Sequence, residues 1–176
     1  MLRFLFVCSK QVVCSKPAIF LLPALLLLAL IASAPVVAYA NEPVCVQSLK
    51  AQLRKGPGTS FPITWIVGQN MPFMKMSEKN GWAQVKDLDG QTHWVIAKAL
   101  TGRFACAVVK AKQARLRTGP SNRSPASEPE FVDRYTPFRK VDRDGDWVQV
   151  RDDQKTEYWI ADSMLWSPIA KSKIAF

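Results

Sequence analysis

The sequence predicts an all-β protein: two tandem small β-barrels behind a hydrophobic N-terminal segment. Three observations predict it. Four short blocks recur in the same order at a nearly fixed spacing. Within the blocks, apolar and polar residues alternate with the period of half-buried strands. Beyond residue 40 the chain reads as short segments punctuated by turn residues, and no long helix is predicted.

The chain has 176 residues and a formal net charge of +10. Residues 1–40 carry Arg3, Lys10 and Lys16 and no acid, which leaves +7 for the remainder. Met1 to Lys16 reads as a basic n-region, IFLLPALLLLALIAS as an apolar h-region, and Ala38-Tyr39-Ala40 as a small-x-small cleavage pattern before Asn41. Residues 1–40 are therefore expected to be a signal peptide with a hydrophobic helix. Ala18 to Ala40 is also long enough to cross a bilayer, so an uncleaved anchor is the alternative. Pro23 and Pro35 favour cleavage. In either case the basic flank stays inside and the rest of the chain leaves the cytoplasm. The expected location is the periplasm or cell envelope, with membrane contact only through an uncleaved leader. Export removes most access to nucleic acid, so the positive charge is expected to meet other anions.

The repeats follow. AQLRKGPG (Ala51 to Gly58) recurs as ARLRTGPS (Ala114 to Ser121), 63 residues on. MPFMKM (from Met71), NGWAQVKD (from Asn80) and THWVIAKAL (from Thr92) recur 65 residues on as TPFRKV, GDWVQVRD and EYWIADSML. Each copy predicts five short strands. Gly-Pro after Arg54 and Arg117 must turn. Trp82-Ala83-Gln84-Val85 and Trp147-Val148-Gln149-Val150 have the strand period. Asp89-Gly90 signals a tight hairpin before Trp94, and Asp152-Asp153-Gln154-Lys155 is a poorer match to it. Ala97 to Leu100 and Asp162 to Leu165 read as single 3₁₀ turns. The expected organisation is residues 1–40 as leader, 41–103 as the first barrel, 104–112 as linker, 113–170 as the second barrel and 171–176 as tail.

The pattern LRKGPGTSFP, PF, GWAQV, HWV, with its second copy LRTGPSNRSP, PF, DWVQV, YWI, resembles the bacterial SH3-like (SH3b) domain. The resemblance covers nearly all of the chain after residue 40. It implies a barrel of five to six strands and a non-catalytic binding or targeting role in the envelope. The partner expected from it is a peptidoglycan peptide or an extended segment of an envelope protein. The alternative is a structural or regulatory accessory that docks on an envelope enzyme or membrane complex.

The residues offer little for catalysis. His93 is the chain's one histidine. A Ser-His-Asp or Cys-His device would need it, yet its repeat counterpart is Tyr158, which favours a surface or packing role. One histidine cannot furnish a catalytic zinc site. Asp142, Asp144 and Asp146 surround Gly145, an order unlike a calcium loop, and read as a solvated hairpin. No metal, cofactor or enzymatic activity is expected. Trp82/Trp147 and Trp94/Trp159 recur and read as packing residues. Phe61 and Trp65 lie in or beside the first loop, Trp65 opposite Glu130 in the other copy. They are the candidate ligand-binding aromatics, the other reading of Trp65 being a cover for the barrel floor. Arg54 and Arg117 join the candidate site, their safer reading being to hold loop carbonyls. Lys50, Lys55, Lys110, Lys112 and Arg115 add positive charge around them. Cys8 and Cys14 are expected to stay reduced. Cys45 and Cys106 flank the first copy and are the candidate disulfide, with intermolecular pairing or free thiols as alternatives. A bridge would close a loop worth roughly 4 kcal/mol in the chain-entropy model.

Overall fold

Strand-period segments with one apolar face must bury that face, and here each set of them curls around its own core. The computed structural model describes residues 41–169. The leader of residues 1–40 and the chain from residue 170 lie outside the described residues, and so do the signal-peptide, anchor and tail readings.

The first sheet comprises β1 (Glu42–Val46), β2 (Lys50–Arg54), β3 (Ile63–Gly68), β4 (Pro72–Lys79), β5 (Trp82–Lys86), β6 (Thr92–Ile96) and β7 (Leu100–Thr101). The second comprises β8 (Cys106–Val109), β9 (Gln113–Arg117), β10 (Ala126–Asp133), β11 (Pro137–Asp144), β12 (Trp147–Arg151), β13 (Glu157–Ala161) and β14 (Leu165–Trp166). Their orders are β3-β2-β6-β5-β4-β1-β7 and β10-β9-β13-β12-β11-β8-β14, the same topology twice. All described pairings are antiparallel. The expected all-β duplication is present, including 3₁₀ turns at Ala97–Ala99 and Asp162–Met164.

The alternation works as read. Ala83 and Val85 of β5 are fully buried with Leu53, Phe73 and Val95; Val148 and Val150 of β12 are buried with Leu116, Phe138 and Ile160. The equivalent strands β4 and β11 each carry a register shift, between Lys75 and Ser77 and between Lys140 and Asp142. A bulge bends and twists its strand. This lets β4 pair with β1 near its start and with β5 toward its end.

Two expectations need correction. Each copy has seven strands rather than five, because β1 and β7, and likewise β8 and β14, add a short layer. The segment 104–112 is not merely a linker, since Cys106–Val109 forms β8 and pairs with β11 and β14. This strand hides its period because both of its faces are buried. Ala107 and Val109 enter the second core, while Val108 enters the first. Tyr135 and Trp166 of the second barrel also pack against the first core.

Cys45 and Cys106 form a disulfide. It spans 61 residues of sequence and joins β1 to β8. The bridge therefore encloses the first copy, as expected, and also fastens it to the first strand of the second.

Candidate functional site

Each barrel presents one exposed cleft beside a tryptophan that its hairpin places. Asn80-Gly81 joins β4 to β5 in two residues, with φ of +51° and +76°. That double positive φ belongs to a type I′ turn, whose twist suits paired strands. In the second barrel Gly145-Asp146 does the same work, with Gly145 at φ +52°. The turns fix Trp82 opposite Lys79 and Trp147 opposite Asp144. Ala83 and Val148 then point inward, so Trp82 and Trp147 lie half-buried on the outer face. The 3₁₀ turns close the arrangement: Ala97 N–H donates to Gly81 O at 2.9 Å, and Asp162 N–H to Asp146 O at 2.8 Å.

The first cleft, about 280 Å³, is lined by Trp82, Ile96, Lys50, Lys98, Arg54 and Thr59 among others. The second is wider, about 1130 Å³, with Trp147, Trp166, Met164, Asn122, Lys110 and Lys140. Arg143, Asp146 and Asp162 also line it, and Arg143 pairs with Asp162 at 3.1 Å. One wall in each case is the loop after Arg54 or Arg117, represented by Thr59 and Asn122.

Those arginines shape the walls. Arg54 Nη1 donates to the carbonyls of Thr59 (2.8 Å) and Phe61 (2.6 Å), and Nη2 to Gln52 Oε1 (2.6 Å). Arg117 Nη1 donates to Ser124 O at 2.6 Å, and its guanidinium lies 6.0 Å from the Trp147 ring centroid. Loop-holding is thus their visible role, and both stand next to a cleft tryptophan. Phe61 lies over Gly56, where an added Cβ would meet its ring at 2.4 Å. It staples its own loop. Trp65 is half-buried against the first core, with its ring edge-on to Tyr135 at 5.2 Å. Tyr135 OH and Arg134 Nη2 both donate to the carboxylate of Asp89. Neither Phe61 nor Trp65 lines the Trp82 cleft. Of the expected site residues, the structure brings Arg54 beside Trp82 in this cleft and places Phe61 and Trp65 elsewhere. The strand period held the needed signal: Trp82 shares its parity with Gln84 and Lys86, not with Ala83 and Val85.

His93 serves a hairpin. Its Nε2 meets Asp87 Oδ2 at 3.2 Å and its Nδ1 meets Thr64 Oγ1 at 3.0 Å. Asp87 Oδ1 meanwhile accepts from the backbone N–H of Asp89 and Gln91. The hydroxyl, imidazole and carboxylate stand in the order of an acid–base relay, but the second barrel repeats the Asp link with Tyr158 OH on Asp152 Oδ2 at 3.3 Å. A feature that survives exchange of imidazole for phenol is a brace. Burial, followed by the Asp152 charge, raises the Tyr158 pKa above its usual 10.0. Among the described residues no group of three or more His, Cys, Asp or Glu is placed to hold a metal ion.

Comparison with known families decides the kinship. The bacterial SH3 domain matches twice, at residues 47–102 and 110–167. The chain belongs to the bacterial SH3 domain family. Both SH3 domains are binding modules by family, and each extends beyond the matched region by a cysteine-bearing strand, β1 or β8. No curated protein compared with the chain matches it. Among solved structures it is similar to NlpC2 from Trichomonas vaginalis, at 12% identity and TM-score 0.31, covering 73% of this chain and 49% of that one. An NlpC/P60 family protein from Bacillus cereus gives 13%, TM-score 0.34, and 76% and 59% coverage. The Endolysin LysPBC5 CBD gives 14%, TM-score 0.31, and 73% and 94% coverage. The chain spans about half the length of the NlpC2 structure. Likenesses this distant bear on neither ligand nor activity.

Proposed function

We propose that this protein is a non-enzymatic binding module of the bacterial cell envelope that holds an extended peptide, most simply a peptidoglycan peptide, in the clefts beside Trp82 and Trp147. One observation carries the reading: the duplication preserves a half-buried indole, a two-residue hairpin behind it and an arginine-shaped loop beside it. An indole face adjoining backbone and polar groups suits an extended peptide, gripping a side chain while the walls meet its main chain. Two such clefts on one chain add avidity if both engage. The disulfide supports an oxidising compartment, in keeping with export by the leader of residues 1–40.

Sedimentation with purified peptidoglycan tests the proposal. The intact protein is expected to pellet with the sacculus. Trp82→Ala and Trp147→Ala should each reduce the pelleted fraction several-fold, and the double variant should abolish it. Undiminished pelleting of a folded double variant would remove the clefts from the account. A second reading, docking on an envelope protein, has its own observation: Ile63 and Ile66 are 45% and 55% exposed on the edge strand β3. Absence of pelleting with purified peptidoglycan, together with capture of an envelope protein that survives in W82A/W147A but falls on Ile66→Ser, would favour that surface.

A further inference from the structure

The two clefts differ in charge at positions that the duplication makes equivalent. Lys50, Arg54 and Lys98 line the first beside Trp82, and no carboxylate lines it. At the equivalent places the second domain has Gln113, Arg117 and Ser163. Its cleft is also lined by Asp146 and Asp162, where the first domain has Gly81 and Ala97; these carboxylates offset its cations Lys110, Lys140 and Arg143, the last of which pairs with Asp162. Arg54 is held by loop carbonyls and Gln52. Lys50 and Lys98 are exposed, and neither ammonium enters an ion pair among the described residues.

Two ammonium groups on flexible stems can converge on one anion. Beside an indole they favour a ligand whose negative charge adjoins apolar surface, and complementary charge of this kind sets specificity more than raw affinity. We infer that the first domain's cleft selects the carboxylate-bearing part of an extended peptide, with Lys50 and Lys98 reading the charge, and that the second domain lacks this selectivity. The inference rests on the cleft reading above and adds the chemical class of its ligand. A surface lysine cluster alone would attract any polyanion; what narrows this one is that both lysines line the same cleft as Trp82.

Calorimetric titration of the full chain with a synthetic peptidoglycan stem pentapeptide, and with the same peptide fully amidated, tests it. The acidic peptide should bind about tenfold more tightly at low salt, with the preference shrinking as salt rises. Lys50→Gln with Lys98→Ser, the residues of the second domain, should bring the acidic peptide down to the affinity of the amide. Equal affinity for the two peptides in the intact protein would overturn the inference and leave the clefts standing, as would a preference that persists in K50Q/K98S. Binding of neither peptide would overturn the cleft reading itself. Displacement by soluble polyphosphate as effective as by the acidic peptide would replace a peptide site with a general anion surface.

Discussion

Tyr135 and Asn70 occupy the same turn position in the two domains, and both have positive φ, +70° and +66°. Asparagine tolerates that region and tyrosine seldom adopts it. The contacts that hold Tyr135 there are its ring against Trp65 and its hydroxyl on Asp89. Nothing in the sequence announces such a residue, because its partners lie more than 40 positions away. Trp82 was read from sequence as a packing residue, although strand parity alone places it outside the core. Tyr158 gives a pH test at this scale. Its pKa is raised in the fold by burial and Asp152, so its contribution is complete below the unfolded value of 10.0 and is lost as pH climbs through the folded one. Denaturant titrations of the intact protein and of Tyr158→Phe, at about pH 9 and about pH 11, should show their stability difference shrinking at the higher pH. A difference that stays constant would mean that Tyr158 ionises equally in both states.

Among the elements, hairpins explain most of what was and was not readable. The signal at Asp89-Gly90 is real but closes a longer connection than expected. Asp87 N–H donates to Gln91 O, and Gly90 sits at φ +80°, leaving Leu88-Asp89-Gly90 as a three-residue loop. The second copy keeps that shape without the glycine: Asp152 N–H donates to Thr156 O and Lys155 takes φ +71°. A side chain strained in the left-handed region is relieved by glycine. Lys155→Gly should raise stability by about 0.5–1 kcal/mol, seen as a higher melting temperature in thermal denaturation. A lower one would mean that the lysine makes compensating contacts. Strands β2, β5, β6 and their repeats were legible because one face is wet and the period shows. Strand β8 was not, because burial on both faces erases alternation.

At the scale of the whole molecule, duplication made the fold readable and adaptation between the copies made the site hard to read. Recurrent blocks fixed two barrels, yet the parts that join them, Val108, Trp166, Tyr135 and the Cys45–Cys106 bridge, have no repeat logic. Trp65, whose repeat counterpart is Glu130, packs edge-on against Tyr135 of the second domain. The bridge closes a loop worth roughly 4 kcal/mol, a sizeable share of what small cores supply. The account predicts that ligand is felt at the two cleft indoles and not at the joint. Two-dimensional NMR of the indole N–H groups, followed while a peptidoglycan stem peptide is added, reads this directly. Trp82 and Trp147 should shift in a saturable manner while Trp65 stays in place. Saturable shifts at Trp65 with Trp82 and Trp147 unmoved would contradict it.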